Sequence, residues 1–287
     1  MKIAFFGYDF FANCLNATLE ANHEVIRIFS VPTDNVYNFN EQVLEAAAKS
    51  KVPVSLSKVR EADIANLEAQ GCELIVSAAY PYRIPIGKTT VRGINIHPSL
   101  LPNGRGPWPL PHVILKRLKE TGVTIHKLEP DFDAGEIIVQ RSFPVSEVDN
   151  LESLSCRSQM LARDLLLQVL GDFENLWTKS EAQGRGEKWE FPSDEEQTIR
   201  WTDSVEDIDR LVRAYGKMHT TAIFDSLFWN IEDVAVWSEA HAIAPGTVVH
   251  RANKEVVIAA QDGFVCLRYF QKDVVQRETS SIGEICA

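Results

Sequence analysis

Over the first eighty residues the hydrophobic positions fall into two kinds of run. Residues 2–7 (KIAFFG), 24–30 (EVIRIFS), 52–56 and 73–78 (ELIVSA) are short and mostly apolar, the pattern of strands buried on both faces. Between them, residues 9–20, residues 41–50 (EQVLEAAAKS) and the segment that ends at residue 69 space their apolar positions as helices do. Strand alternating with helix predicts an α/β fold, a doubly wound and mostly parallel sheet. Helices are predicted again over 108–120 and 151–170, the second long enough to cover the sheet. A polar, glycine-containing stretch at 178–197 then breaks the pattern and reads as a linker or a long excursion. Past it, a helix over 204–214 opens on the capping-box spacing from Ser204 to Asp207. Short strands follow over 221–228, 245–250, 255–260 and 263–269. The expected organisation is a first domain over 1–177, a linker over 178–200 and a small β-rich C-terminal domain over 201–287.

Composition narrows what such a chain does. With 287 residues, 45% of them hydrophobic, it is ordinary for a globular protein. The formal charge of −11, with no run rich in Lys and Arg, disfavours a nucleic-acid partner, because affinity for that backbone rests on basic side chains. No apolar run reaches membrane-spanning length, and the opening MKIAFFGYDFF carries one Lys and no small-residue cleavage site, so a cytoplasmic protein with no membrane partner is expected. The five cysteines, Cys14, Cys72, Cys156, Cys266 and Cys286, are odd in number and lack CxxC spacing. They fit packing residues better than a disulfide framework or a zinc site.

The chemistry concentrates near the middle of the chain. The first strand-to-helix turn has a single glycine, Gly7, and no GxGxxG, so it does not wrap a dinucleotide pyrophosphate. Residues 77–85 (SAAYPYRIP) break from a strand into a Tyr- and Pro-rich turn, which suits either a flat heterocycle or plain packing. In residues 94–102 (INIHPSLLP), Asn95 and His97 lie two apart at a strand end and share one face, and the Pro-rich segment that follows cannot continue a central strand. Residues 121–140 (TGVTIHKLEPDFDAGEIIVQ) read as a strand, an acidic loop closing on Asp133-Ala134-Gly135, and another strand. An amide, an imidazole and a carboxylate are therefore expected to meet at one sheet edge. That set suits attack of an amine on an acyl carbon. The amide donates to the oxyanion, the imidazole donates or carries a proton, and the carboxylate fixes the tautomer. Each residue also has a structural use, Asn95 and His97 in hydrogen-bonding the backbone and Asp133 in an Asx-turn.

The two stretches resemble the signature of the formyltransferases that use 10-formyltetrahydrofolate: NxHPSLLP, then Arg105-Gly106, TGVTxH and DxG. The resemblance implies a Rossmann-like catalytic domain, direct formyl transfer without a metal, and Asn95, His97 and Asp133 as the catalytic trio. It places the pterin against Tyr82, Arg83, Ile84 and Pro85 on one side and Glu129, Pro130, Asp131, Phe132 and Asp133 on the other. The second half, through residues 198–212 (TIRWTDSVEDIDRLV), PGTVV and AAQDGFVCL, is similar to the tRNA and aminoarabinose branches, and FSVPTDN at 29–35 to the latter. Many relatives read LLPxYRG where this chain has Asn103-Gly104-Arg105-Gly106-Pro107-Trp108, so an acceptor pocket is not carried over. Asn103 and Arg105 are the candidate acceptor contacts, Arg105 facing a phosphate or carboxylate or else bracing its loop. Trp108 is read as a helix anchor and His126 as a hydrogen-bonded structural residue. Trp189, Trp201, Trp229, Trp237, Phe191, Phe224, Phe228 and Phe264 are read as core. The favoured function is N-formylation of a small amine, such as a nucleotide-linked amino sugar or an ornithine-derived hydroxylamine, by a chain that forms homodimers. Methionyl-tRNA formyltransferase is the alternative. A folate-binding protein without turnover, or a hydrolase releasing formate, stands further off.

Overall fold

A computed structural model describes residues 1–33, 39–252 and 255–272. Residues 34 and 35 of the 29–35 segment, and residues 273–287 of the expected C-terminal domain with Cys286, lie outside the described residues. Seven strands form the first sheet: β1 (Lys2–Gly7), β2 (Glu24–Phe29), β3 (Val54–Ser55), β4 (Leu74–Ala78), β5 (Arg92–His97), β6 (Glu120–Lys127) and β7 (Ile137–Pro144). Their order is β3-β2-β1-β4-β5-β6-β7. The first five are parallel and the last two antiparallel.

Alternation along each strand serves two cores. Ile3 and Phe5 of β1 face one core, completed by Leu15 of helix α1 (Ala12–Glu20), Val43 of α2 (Glu41–Ser50) and Leu165, Leu166 and Val169, which lie further along the chain. Ala4 and Phe6 face the other, with Ile64 and Leu67 of α3 (Glu61–Ala69). Burial of a Leu or Ile side chain is worth roughly 1.5–3 kcal/mol, so a strand apolar on both faces must be covered on both. A one-turn 3-10 segment, Asp9–Phe11, precedes α1 where a single helix from residue 9 was expected. The helix expected over 108–120 is only α4 (Pro109–Leu115). Arg117 takes a left-handed φ of 54°, the Leu118 N–H closes on the Val113 carbonyl, and β6 begins at Glu120. Next come α5 (Leu151–Gly171), α6 (Phe173–Thr178) and α7 (Val205–His219). At the start of α7 the Ser204 hydroxyl accepts from Asp207 N, as the capping spacing requires.

The second sheet contains β8 (Thr221–Phe224), β9 (Leu227–Ser238), β10 (Val248–Ala252), β11 (Glu255–Ala259) and β12 (Gly263–Lys272) in the antiparallel order β10-β11-β12-β9-β8. The strand expected over 221–228 is thus a hairpin. Asp225 and Ser226 both take left-handed φ, 51° and 59°, and turn the chain into a twelve-residue strand. Helix α7 joins the two units. Ile208 and Val212 enter the C-terminal core with Val234, Ile258 and Leu267. Ala214 and Tyr215 pack with Leu110, Val113, Leu154 and Trp189 of the first unit's side. Trp108 stacks on Phe191 at 5.4 Å and Trp229 on Phe224 at 4.8 Å. Two of the aromatics expected in the core are not there, since Phe228 is 58% and Trp237 41% exposed.

Candidate active site

Strand β5 lies between β4 and β6, inside the sheet, so the trio does not gather at a sheet edge. It gathers at the carboxyl end of β5. Ile94 and Ile96 point into the first core, which leaves Asn95 and His97 together on the opposite face. Beyond His97 the chain is pinned by polar contacts. The Ser99 hydroxyl donates to Asn103 O at 2.9 Å, the Thr124 hydroxyl to Ser99 O at 2.7 Å, and the Gln140 amide to Leu101 O at 2.9 Å. Gly106 has φ of 127°, and a Cβ there would lie 2.1 Å from the Trp189 carbonyl, so only glycine fits.

Asp133 reaches the same place from the β6–β7 connection. Its φ is 54°, and two residues on, a Cβ at Gly135 would sit 2.0 Å from the Lys127 carbonyl. The DxG spacing is therefore a backbone requirement as well as a chemical one. Asp133 Oδ1 accepts from Asn95 Nδ2 at 3.3 Å and lies 3.5 Å from both His97 Nδ1 and His126 Nε2. Its other oxygen accepts the Gly106 N–H at 3.0 Å.

The carbonyl partners fix the protons. His97 Nε2 faces the Gly104 carbonyl at 2.7 Å, and because a carbonyl only accepts, the proton is on Nε2. His97 Nδ1 is then the bare nitrogen, directed at Asp133. His126 Nδ1 donates to Lys127 O at 2.8 Å, so its Nε2 accepts from Asn95 Nδ2 at 3.2 Å. His126 is structural, as expected, and is also a member of the cluster. Both hydrogens of the Asn95 amide are engaged, one by His126 and one by Asp133. Burial pushes His97 below its ordinary value, outweighing the pull of Asp133. For Asp133, burial alone would raise the carboxyl, but the charge of His97 when that ring is protonated, together with the Gly106 N–H, holds it well below the usual carboxylate range. The result is a neutral imidazole with its basic nitrogen against a buried carboxylate. His97 is 5%, Asp133 8% and His126 1% exposed.

The two segments expected to hold a pterin lie beside each other. The Arg83 guanidinium sits over the Phe132 ring at 5.2 Å, and the Cβ direction of Gly87 meets Pro130 Cγ at 4.0 Å. Phe132 is 48% exposed, next to Asp133, while Glu129, Pro130 and Asp131 are exposed around it. Tyr82 and Pro85 are half-buried, and Ile84 belongs to the second core. Two surface hollows, of about 230 Å³ beside Phe143 and Arg157 and about 440 Å³ beside Phe10 and Gln159, include none of these residues.

Asn103 and Arg105 meet the stretch expected to be a linker. Asn103 Oδ1 accepts from Glu187 N at 3.1 Å. Arg105 donates through Nε and Nη2 to Gln183 Oε1, at 3.0 and 2.7 Å, and through Nη2 to Gly184 O. Among the described residues it has no ion-pair partner. Residues 181–189 are a strap laid over the site loops. Glu181 pairs with Ile137, Lys188 with Arg105, and Gly104 N donates to Glu187 O at 2.9 Å. Nothing periodic in the sequence marks this strap, and Gln183 within it went unseen.

Comparison with known proteins agrees with this architecture. The family model for formyl transferase matches residues 1–170, and that for the formyl transferase C-terminal domain matches residues 193–280. A methionyl-tRNA formyltransferase from Streptococcus uberis is 30% identical over 94% of this chain and 90% of its own length. HypX from Aquifex aeolicus, solved with tetrahydrofolic acid, superposes with a TM-score of 0.70 at 20% identity over 95% of this chain, which spans 44% of HypX. An N-formyltransferase from Helicobacter canadensis, solved with folinic acid and dTDP-3-aminofucose, gives 0.68 at 18% identity over 95% of this chain and all of its own. These two show a shared fold. With both halves matched in order and the Asn95–His97–Asp133 cluster at the carboxyl end of β5, the chain belongs to the formyl transferase family.

Proposed function

We propose that this protein transfers a formyl group from 10-formyltetrahydrofolate to the amine or hydroxylamine of a small acceptor that carries an anionic group, a nucleotide-linked amino sugar being the favoured class. The observation that carries the reading is the approach of Asn95 and His97 to one Asp133 oxygen, within 3.5 Å, on a buried strand end. When bound, the folate supplies an electrophilic formyl carbon. Asn95 turns one amide hydrogen from His126 to the formyl oxygen as negative charge develops there. His97 holds its proton on Nε2 against Gly104, takes the proton of the attacking amine at Nδ1, where Asp133 stabilises the resulting charge, and returns it to the folate nitrogen as that nitrogen's bond to the formyl carbon breaks and tetrahydrofolate leaves. Of the two roles open to an imidazole here, donor to the oxygen or proton carrier, the commitment of Nε2 to Gly104 supports the second. The folate fits between Tyr82–Pro85 and Glu129–Asp133, where the exposed Phe132 ring offers a flat face.

Arg105 supports an anionic acceptor, because it is a cation beside the trio with no carboxylate partner among the described residues. Charge supports a small molecule over tRNA. Arg200 at the end of the linker and Arg210, Arg213, Arg251 and Arg268 of the C-terminal unit each pair with an acidic side chain, which sets a competing negative charge beside each. Methionyl-tRNA formyltransferase is the second reading, favoured by 30% identity along nearly the full chain. A panel of amino-sugar nucleotides and hydroxylamine-bearing amino acids, assayed with 10-formyltetrahydrofolate for tetrahydrofolate release, tests the first. Turnover on a panel member supports it. No turnover on the panel, together with formylation of methionyl-tRNA that weakens steeply with salt, replaces it with the second.

A further inference from the structure

One side chain of the strap holds both halves of the site. The Gln183 amide donates to the Asp133 carbonyl at 2.9 Å and to the Gly135 carbonyl at 2.6 Å, and its oxygen accepts the fork of Arg105. All of its strong hydrogen-bonding capacity points into the site, while its neighbours from Glu181 to Lys188 are exposed. Asp133 sits in the left-handed region, which a non-glycine residue rarely adopts, and its backbone is held there by this contact and by the tight passage at Gly135. Arg105 has no acidic partner among the described residues, so the Gln183 oxygen sets the direction of its fork. The carboxylate of Asp133 is tied in turn to Gly106 N, the neighbour of Arg105. Asp133 and the Arg105–Gly106 step are therefore clamped twice, once through the carboxylate and once through Gln183.

We infer that Gln183 is a positioning residue: it fixes the Asp133 loop, and through it the charge opposite His97, and it aims Arg105 at the anionic group of the acceptor. The inference rests on the roles proposed above for Asp133 and Arg105, and its test is chosen to fail separately from them. Gln183→Ala removes both arms. Gln183→Glu leaves an oxygen for Arg105 but removes both donations to the Asp133 loop. Misplacement of a catalytic group by about 1 Å costs up to roughly 100-fold in rate, so kcat is expected to fall about 10- to 100-fold in both variants. The acceptor KM is expected to rise in Gln183→Ala more than in Gln183→Glu.

The decisive readout needs no substrate. With histidines labelled with carbon-13, and His97 assigned by its loss in His97→Gln, the His97 titration midpoint is followed by NMR in the wild type and both variants. The expected result is a midpoint displaced by at least about half a pH unit in variants that keep the wild-type circular dichroism. A strap that is merely structural lowers the melting temperature and leaves the midpoint in place, and that result overturns the inference whether or not formyl groups are transferred. If Gln183→Ala does not fold, Gln183→Leu, which keeps the volume and adds no charge beside Asp133, decides by the same criterion. A displaced midpoint in a protein with no formyl transfer keeps the positioning role and removes the proposed reaction instead.

Discussion

Replacing Asp133 by Asn changes one charge at nearly constant shape. The carboxylate oxygen lies 3.5 Å from His97 Nδ1, the nitrogen that lacks a proton. At an effective dielectric of about 20, a unit charge at that separation is worth roughly 5 kcal/mol to an imidazolium. Even a third of this, about 1.5 kcal/mol, is roughly one pKa unit. Burial already holds His97 below its ordinary value against the pull of Asp133, so Asp133→Asn should lower the midpoint by at least about one further unit. The fold should survive, because the remaining amide oxygen still accepts the Gly106 N–H, now made at 3.0 Å. Turnover should fall by at least about 100-fold, since the proton taken from the amine loses its stabilising charge, a change on the usual scale of general acid–base catalysis. The assays are the His97 titration by NMR and the initial rate of tetrahydrofolate release. An unmoved midpoint, or a variant that turns over near the wild-type rate, would refute the electrostatic link between the two residues.

Three further outcomes are expected. Gly135→Ala forces a methyl to within 2.0 Å of the Lys127 carbonyl and should cost about 1–3 kcal/mol, read as a drop of several degrees in melting temperature; an unchanged melt would mean the DxG turn is not constrained as described. His97 is held below its unfolded value of about 6.5, so the unfolded chain takes up that proton first. Its contribution to stability is present above that value and is lost as the pH falls toward the folded midpoint, so the wild type should lose melting temperature more steeply than His97→Gln between about pH 7 and 5. Equal slopes would contradict this. Arg105→Gln should raise the acceptor KM about tenfold or more with a smaller change in kcat, and an unchanged KM would remove the anion contact.

Much of the first unit can be read from its residues because burial on both faces writes continuous apolar runs, as in Ile3–Phe6 and Leu74–Val76, and parallel pairing follows from the helices between them. Asn95, His97 and Asp133 are legible for a different reason: the first two are polar groups placed where an apolar strand stops, and the third closes an acidic loop on Ala134-Gly135. Their setting inside the sheet is not, because β6 and β7 extend it beyond β5 through antiparallel pairs that periodicity does not reveal. Three other features escape for local reasons. Arg117 ends α4, and Asp225-Ser226 makes a hairpin, each through left-handed backbone at residues other than glycine. The strap over 181–189 has no period at all, since it is held by single hydrogen bonds to loops far away in the chain. The pairing of Asn95 with His126 likewise depends on the β5–β6 register, which sets the two residues opposite each other.

The central claim is that one amide, one imidazole and one carboxylate act on a single formyl group. It is tested most directly by single-turnover release of tetrahydrofolate from 10-formyltetrahydrofolate, with a competent amine, in the wild type, Asn95→Ala and His97→Ala, alongside folinic acid binding to each. The account predicts bound folate in all three and a rate at least roughly 100-fold lower in each variant. Folate bound equally well and released from its formyl group at near-wild-type rate in either variant would contradict it.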